Sequence, residues 1–307
     1  MSNPTALLTS LPPPAIRAML APWIAGHLAD PALEVAATRV VEEAVLPFDD
    51  DALDRLRGAL LSAGTEWAFY AADPVARAIS RAFMPLVARP ATVVGLDRLD
   101  RFIHEGSRRK LVVCNHLSYT DTQVTDSVLT AAGRAGIADR LVAVAGPKVY
   151  TDPWRRMAAV ALNTRKVAQS TQVASEQAPL SPRDLARLAL EALEDLIARM
   201  DDGAIVLLYA EGTRSPDGRL LPFLRAVQRY LALSDLTVLP MCQTGTERVF
   251  PREQRQMFRA PVELRFGEPF YAEHFPGKGA ALSEAWGRVA GLLPEAYQPQ
   301  AGLEALL

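Results

Sequence analysis

His116 and Asp121 lie in the stretch LVVCNHLSYTDTQ (residues 111–123), with four residues between them. A neutral imidazole takes a proton from a hydroxyl near pH 7, and a carboxylate on its other ring nitrogen fixes the tautomer and stabilises the imidazolium that forms. The pair therefore suggests acyl-transfer chemistry. Taken alone it is equally read as a satisfied loop histidine followed by a helix N-cap. The context favours chemistry: Leu111, Val112, Val113 and Cys114 form an apolar run of the kind found in central parallel strands. Function in such sheets sits in the loops beyond the strand ends.

A second group, Glu211-Gly212-Thr213-Arg214-Ser215, follows the apolar run 204–209. Gly212 permits close backbone approach to a ligand, and Arg214 offers a planar fork of donors for phosphate or carboxylate. Arg219 and Arg225 add charge nearby in sequence. The alternative is an ordinary surface loop in which Glu211 pairs with Arg214. A third, basic group is Asn163-Thr164-Arg165-Lys166, preceded by Lys148, Arg155 and Arg156. Arg155 and Arg156 fall on a predicted helix and read as surface charges, whereas Arg165 and Lys166 fall where a ligand would reach them. A histidine base at one strand end and arginines at two others would hold an anionic hydroxyl compound by its phosphate and deprotonate its alcohol.

The elements that position these residues follow from periodicity. From residue 13 to about 88, apolar residues recur three and four apart, as in Leu53, Leu56, Leu60 and Leu61, with breaks at Pro31, Pro47 and Asp73-Pro74. This predicts a helical bundle over residues 1–90. Beyond Arg89-Pro90, strand-like runs at 91–96, 110–114, 141–145, 204–209, 237–243 and 262–266 alternate with helical ones at 120–132, 153–162, 182–200, 223–233 and 282–293. The alternation predicts an α/β unit over residues 91–307, a mixed, mainly parallel sheet covered by helices. Residues 167–180, rich in Ser, Gln and Ala, read as a mobile loop.

With 307 residues, 50% hydrophobic and 22% charged, the chain can bury a sizeable core, and a net charge of −2 gives no global signal for nucleic acid. Both cysteines, Cys114 and Cys242, lie in apolar runs, which argues against a disulfide framework and for a reducing compartment. No secretory signal and no spanning helix is legible, so the expected location is cytoplasmic. Residues 19–24 with Trp23, or 67–70, are candidates for peripheral contact at the inner face of the membrane.

These residues resemble the glycerolipid acyltransferase superfamily in four ordered blocks. Asn115-His116 with Asp121 is similar to its HX4D catalytic block, and residues 146–166 to its acceptor-binding block. Glu211-Gly212-Thr213-Arg214-Ser215 is identical to its third motif, and Val238-Leu239-Pro240-Met241 with Gly245 resembles the fourth. The run VAGPKVYTDP (residues 144–153) is similar to that of soluble, chloroplast-type glycerol-3-phosphate acyltransferases, whereas the third motif is the form usual in lysophosphatidate acyltransferases. Ala210 and Arg225-Ala226 depart from the family pattern, where a proline and a lysine-glycine pair are common.

The resemblance implies His116 as general base and Asp121 as its partner, with Arg214 on the acceptor phosphate. It also implies that Glu211, Gly212 and Thr213 shape that pocket, and that Arg165 with Lys166 supplies further positive charge. The donor would be acyl-CoA or acyl-carrier protein, with no cofactor, no metal and no acyl-enzyme. The first expectation for the acceptor is glycerol-3-phosphate, with lysophosphatidate or another lysolipid second. A lysolipid acceptor requires an apolar, basic-rimmed entrance beside His116. The acyl chain needs an apolar groove, for which the N-terminal helices are one wall. A metal-dependent hydrolase is disfavoured because His27, His104 and His274 are scattered. A non-catalytic lipid-binding protein is disfavoured because base and partner are both present.

Overall fold

The computed structural model describes residues 11–168, 180–277 and 279–303. Most of the 167–180 segment read as a loop lies outside the described residues.

Three helices come first: α1 (Pro13–Ala25), α2 (Pro31–Val45) and α3 (Asp50–Ser62). A short strand, β1 (Phe69–Tyr70), precedes α4 (Pro74–Val87). The prolines and aspartates that punctuate this region act as helix starts. Asp49 and Asp73 accept the Ala52 and Ala76 N–H groups at 2.8 and 3.0 Å, and Pro74 occupies the first helical turn, where its missing N–H costs nothing. Each cap is worth about 1 kcal/mol.

The chain then alternates. In order come β2 (Ala88–Val94), α5 (Leu96–Glu105), β3 (Arg109–Cys114), α6 (Asp121–Ala131), α7 (Ala135–Arg140), β4 (Leu141–Ala145), α8 (Pro153–Val160) and β5 (Asn163–Lys166). After the break come α9 (Pro182–Asp201), β6 (Ile205–Tyr209), α10 (Gln228–Leu231), β7 (Leu236–Thr244), α11 (Thr246–Val249), β8 (Ala260–Phe266), β9 (Phe270–Tyr271) and α12 (Ala280–Leu292). The expected strand over 91–96 starts at Ala88 and stops at Val94, because Gly95 at φ +81° turns the chain and Leu96 opens α5. The helix expected over 223–233 shrinks to a 3-10 turn at Arg225–Val227 and the single turn of α10.

The strands form one mixed sheet in the order β1-β5-β4-β6-β3-β7-β8-β2, with β9 pairing to β7. The middle of the sheet, β4-β6-β3-β7, is parallel; β1-β5, β7-β8 and β7-β9 are antiparallel. Pro240 is tolerated in β7 because it falls between the residues paired to β9 (Thr237, Val238) and those paired to β8 (Met241 onward), where no ladder N–H is needed.

Period two along the central strands decides which helices each residue meets. Leu111 and Val113 of β3, with Val206 and Leu208 of β6, pack against Leu196 and Met200 of α9 and Trp286 and Val289 of α12. Val112 and Cys114, with Ile205 and Leu207, pack on the other face against Leu99 and Phe102 of α5 and Leu129 of α6. At about 1.5–3 kcal/mol per buried aliphatic side chain, this two-faced burial fixes β3 and β6 firmly. A third cluster joins Ile16 and Leu20 of α1, Leu53 of α3 and Phe83 of α4 to Val124 of α6 and Val262 and Leu264 of β8. The N-terminal helices thus share a core with the sheet. Among the described residues, no helix is long and apolar enough to cross a membrane.

Candidate active site

β3 and β6 end level with each other, Cys114 opposite Tyr209. The loops that follow them are therefore neighbours at the carboxyl ends of the two most central parallel strands. Asn115 extends the sheet by one step with its side chain: its Nδ2 donates to the Gln243 carbonyl and its Oδ1 accepts the Gln243 N–H, both at 2.9 Å. The two loops are joined by the Ser215 N–H, which donates to the His116 carbonyl at 2.8 Å.

Within the first loop the chain folds back on Asp121, which is 1% exposed. Its carboxylate accepts the Leu117 N–H at 2.8 Å and the Ser118 N–H at 3.0 Å, and Oδ2 lies 2.7 Å from His116 Nδ1. A carboxylate only accepts, so Nδ1 carries the proton and Nε2 presents a lone pair. The imidazole is 19% exposed and lies against the Tyr209 ring at a centroid separation of 4.6 Å. Tyr209 is itself held by a 2.9 Å bond between its hydroxyl and Thr122 Oγ1. Packing and hydrogen bonding thus fix the ring's plane and tautomer, as a base requires.

Glu211 is buried and joins the two loops, replacing the surface ion pair with Arg214 allowed by the sequence. Its Oε1 accepts the His116 N–H at 2.6 Å and its Oε2 the Leu221 N–H at 2.9 Å. Burial pushes this carboxyl up to about 8, against the pull of the two N–H groups. Its native pKa lies above the unfolded value, so its contribution to stability is complete below the ordinary glutamate range and is lost as pH rises toward about 8. Glu211→Gln should remove that dependence, and should cost about 1–3 kcal/mol at low pH because an amide NH2 faces one of the two backbone N–H groups. Urea unfolding midpoints of both proteins at about pH 5 and about pH 8.5 check this. Gly212 stands at φ +67°, and a Cβ there would meet Leu224 Cδ1 at 2.1 Å, so the turn that carries Thr213 and Arg214 depends on glycine.

Arg214 reaches across to the first loop. Its guanidinium carbon lies 3.8 Å from the centre of the Tyr119 ring, and that of Arg155, from α8, lies 4.8 Å from the same ring. Arg155 is thus not the free surface charge that its helical position suggests: Tyr119 draws it, 24% exposed, toward the site. Arg156 is tied back to the Tyr150 and Leu60 carbonyls. Burial holds the Arg214 guanidinium below the ordinary arginine range, and the like charges of Arg252 and Arg155 act in the same direction. Two guanidinium groups on one ring, with the charge of Arg252 acting on Arg214, make a site for an anion.

The structure brings together His116, Asp121, Glu211, Gly212, Thr213 and Arg214. It does not bring Arg165 and Lys166 to them. Period two turns Arg165 onto the α9 face, where Nε lies 2.8 Å from Asp195 Oδ2. Lys166 turns to the opposite face, donating to the Gly64 carbonyl at 2.5 Å above the Trp67 ring. Thr213, Arg219 and Arg225 are exposed. Tyr119 and Tyr209 enter the site without having been singled out, Arg252 acts on Arg214 from nearby, and Arg155 enters it although read as a surface charge. Tyr119 lies inside the His-to-Asp motif and Arg155 inside the 146–166 block, so both carried a sequence signal.

Beside Tyr119 and Arg155 an apolar pocket opens to solvent. α1, α4 and α8 supply its walls, through Ile24, Phe83, Met84, Trp154 and Met157, and Phe250 and Met257 close it from the segment between α11 and β8. Trp23, one of the candidates for membrane contact, packs edge-on against Trp154.

Residues 91–244, half of the chain, match the family model described as Acyltransferase. The chain belongs to the acyltransferase family. This acyltransferase is 23% identical over 189 residues to a 1-acyl-sn-glycerol-3-phosphate acyltransferase of Cocos nucifera, an alignment covering 62% of this chain and 52% of the relative. It is 33% identical over 64 residues to a protein of the same description from Limnanthes alba, covering 21% of this chain and 23% of the relative. The chain thus spans about half the length of the first curated relative and less of the second. The crystal structure of the 1-acyl-sn-glycerophosphate (LPA) acyltransferase of Thermotoga maritima covers 95% of this acyltransferase and 97% of its own chain, at 18% identity and a TM-score of 0.49. The family match includes both loops of the site, while α1 and α4, which wall the pocket, lie before it.

Proposed function

We propose that this acyltransferase moves a fatty acyl group from a thioester, acyl-CoA or acyl-carrier protein, to the hydroxyl of a phosphate-bearing lysolipid of the 1-acylglycerol-3-phosphate class. The carrying observation is that the arginine pair on Tyr119 and the apolar pocket share a wall: Tyr119 and Arg155 belong to both. A ligand matching that wall has an anion next to an aliphatic chain. Lysophosphatidate has this arrangement, whereas in acyl-CoA the pantetheine arm separates the phosphates from the acyl chain. Glycerol-3-phosphate would occupy the arginines and leave the pocket empty. The names of the curated relatives support the same acceptor class.

In this reading the acceptor hydroxyl gives its proton to Nε2 of His116 as its oxygen adds to the thioester carbonyl. The tetrahedral intermediate collapses, the C–S bond breaks, and the departing thiolate takes the proton from the imidazolium. Asp121 holds Nδ1–H throughout. Arg214 and Arg155 hold the phosphate, and Glu211 and Gly212 set the loop that presents Arg214. Arg165 and Lys166 make no phosphate contact, because Asp195 and the Gly64 carbonyl engage them.

Arg214→Ala and Arg155→Ala are each expected to raise the acceptor KM by about 10- to 100-fold, with a smaller change in kcat, since each removes a charge-assisted contact to a non-reacting group. Varying the acceptor at saturating donor measures both. The acceptor is tested by comparing kcat/KM for 1-acylglycerol-3-phosphate, glycerol-3-phosphate and 1-acylglycerol. The first should exceed the second, which lacks the chain, and the third, which lacks the phosphate. A higher value for glycerol-3-phosphate would replace the lysolipid with the water-soluble acceptor.

A further inference from the structure

Gln123 lies on α6 in the wall of the apolar pocket, 5% exposed, and its side-chain Oε1 has no hydrogen-bond partner among the described residues. Ile79, Phe83 and Met157 in that wall offer none, and Ser80, Thr120 and Arg155, which also line it, do not pair with this oxygen. Of the hydroxyls nearby in sequence, Thr120 Oγ1 is paired with Ser118 Oγ at 3.0 Å, Thr122 Oγ1 with the Tyr209 hydroxyl at 2.9 Å and Thr125 Oγ1 with the Asp121 carbonyl at 3.0 Å. A buried amide without a partner is destabilising, a cost that an apolar side chain of the same length avoids. The amide's oxygen and nitrogen are interchangeable by rotation, so its NH2 meets a ligand that accepts and its oxygen a ligand that donates.

We propose that Gln123 recognises the ester carbonyl of the chain already on the acceptor, its Nε2–H donating to that oxygen. This rests on the lysolipid reading above. Gln123 follows Thr120 by three residues, about 4.5 Å along the helix axis, and lines the same pocket as Tyr119 and Arg155, whose place in the wall is taken as the phosphate end. The phosphate at that end leaves the glycerol carbons to span the interval. The ester carbonyl is then the first polar group of the chain to enter the pocket, and only methylenes follow it. A single unpartnered amide in an apolar wall matches a single carbonyl at the head of an aliphatic chain. The acceptor's free hydroxyl remains for His116. Gln123 is therefore a specificity residue that distinguishes ester-linked from ether-linked lysolipids.

The experiment compares 1-palmitoylglycerol-3-phosphate with 1-O-hexadecylglycerol-3-phosphate as acceptors for the full chain, as wild type and as Gln123→Met. The wild type should favour the ester by about 10-fold in kcat/KM, carried mainly by KM, because the ether leaves the buried amide unpaired. In Gln123→Met that ratio should fall to within about twofold of unity as KM for the ester rises. Equal use of both acceptors by the wild type overturns the proposal, whether or not the variant folds. So does a preference that persists in Gln123→Met. Acylation of neither acceptor by the wild type would remove the lysolipid reading itself, and this inference with it.

Discussion

His116→Ala should lower kcat for acyl transfer by at least about 100-fold, the usual scale for loss of a general base, and leave the protein folded. In the proposed mechanism the rate falls because Nε2 of His116 takes the acceptor's proton. Its Nδ1 is held by Asp121 and its face by Tyr209. The fold survives because the backbone contacts of residue 116, from its N–H to Glu211 and from the Ser215 N–H to its carbonyl, do not involve the side chain. Loss of the ring contact with Tyr209 should cost only about 1 kcal/mol. Steady-state rates and thermal unfolding of wild type and variant, measured together, check both halves. A near-normal kcat would remove His116 from the chemistry.

Asp121→Asn should produce an effect of about 10²- to 10⁴-fold in kcat, through the tautomer rather than the shape of the site. The carboxylate accepts from three donors, the Leu117 and Ser118 N–H groups and His116 Nδ1–H. An amide accepts through one atom only. If its NH2 group takes the place of Oδ2, the imidazole must accept at Nδ1, which places the proton on Nε2 and blocks the base, and the Leu117 N–H loses its acceptor as well. If its NH2 group faces the backbone, a buried N–H loses its acceptor at a cost of about 1–3 kcal/mol. The expected pattern is a collapsed kcat, an acceptor KM within about threefold of wild type and a modest loss of stability. A large rise in KM with kcat preserved would mean that Asp121 shapes the acceptor site instead.

The His116 loop and the Arg214 loop were legible in the sequence because each follows a continuous apolar run. Residues 111–114 and 205–208 are buried on both faces and carry no competing period. Their loops had to lie side by side once both strands were central. The strand β5 was not legible in the same way, since Asn163-Thr164-Arg165-Lys166 has no apolar pattern and becomes a strand only by pairing with β4 and β1. That pairing is also why Arg165 and Lys166 leave the site: alternation sends their side chains to opposite faces, to Asp195 and to Gly64. α5 was hidden by the charges within LDRLDRFIHE, although Leu99 and Phe102 lie three apart and both are buried.

The pocket was the least legible part. Its lining runs from Ile24 to Met257, and its basic residue, Arg155, is recruited by a ring that belongs to another loop. Such a site depends on the packing of α1, α4 and α8 against the sheet, which no local pattern encodes. The same packing brings Gln123, otherwise an ordinary polar residue early in a helix, to face an apolar space.

The most direct measurement is thiol release from palmitoyl-CoA by the purified protein with 1-acylglycerol-3-phosphate, with glycerol-3-phosphate or with no acceptor, in parallel with His116→Ala. Release that requires 1-acylglycerol-3-phosphate, yields the diacyl phosphate and disappears in His116→Ala is the expected result. Thiol release at the same rate without acceptor, or undiminished in His116→Ala, would contradict direct transfer by this histidine.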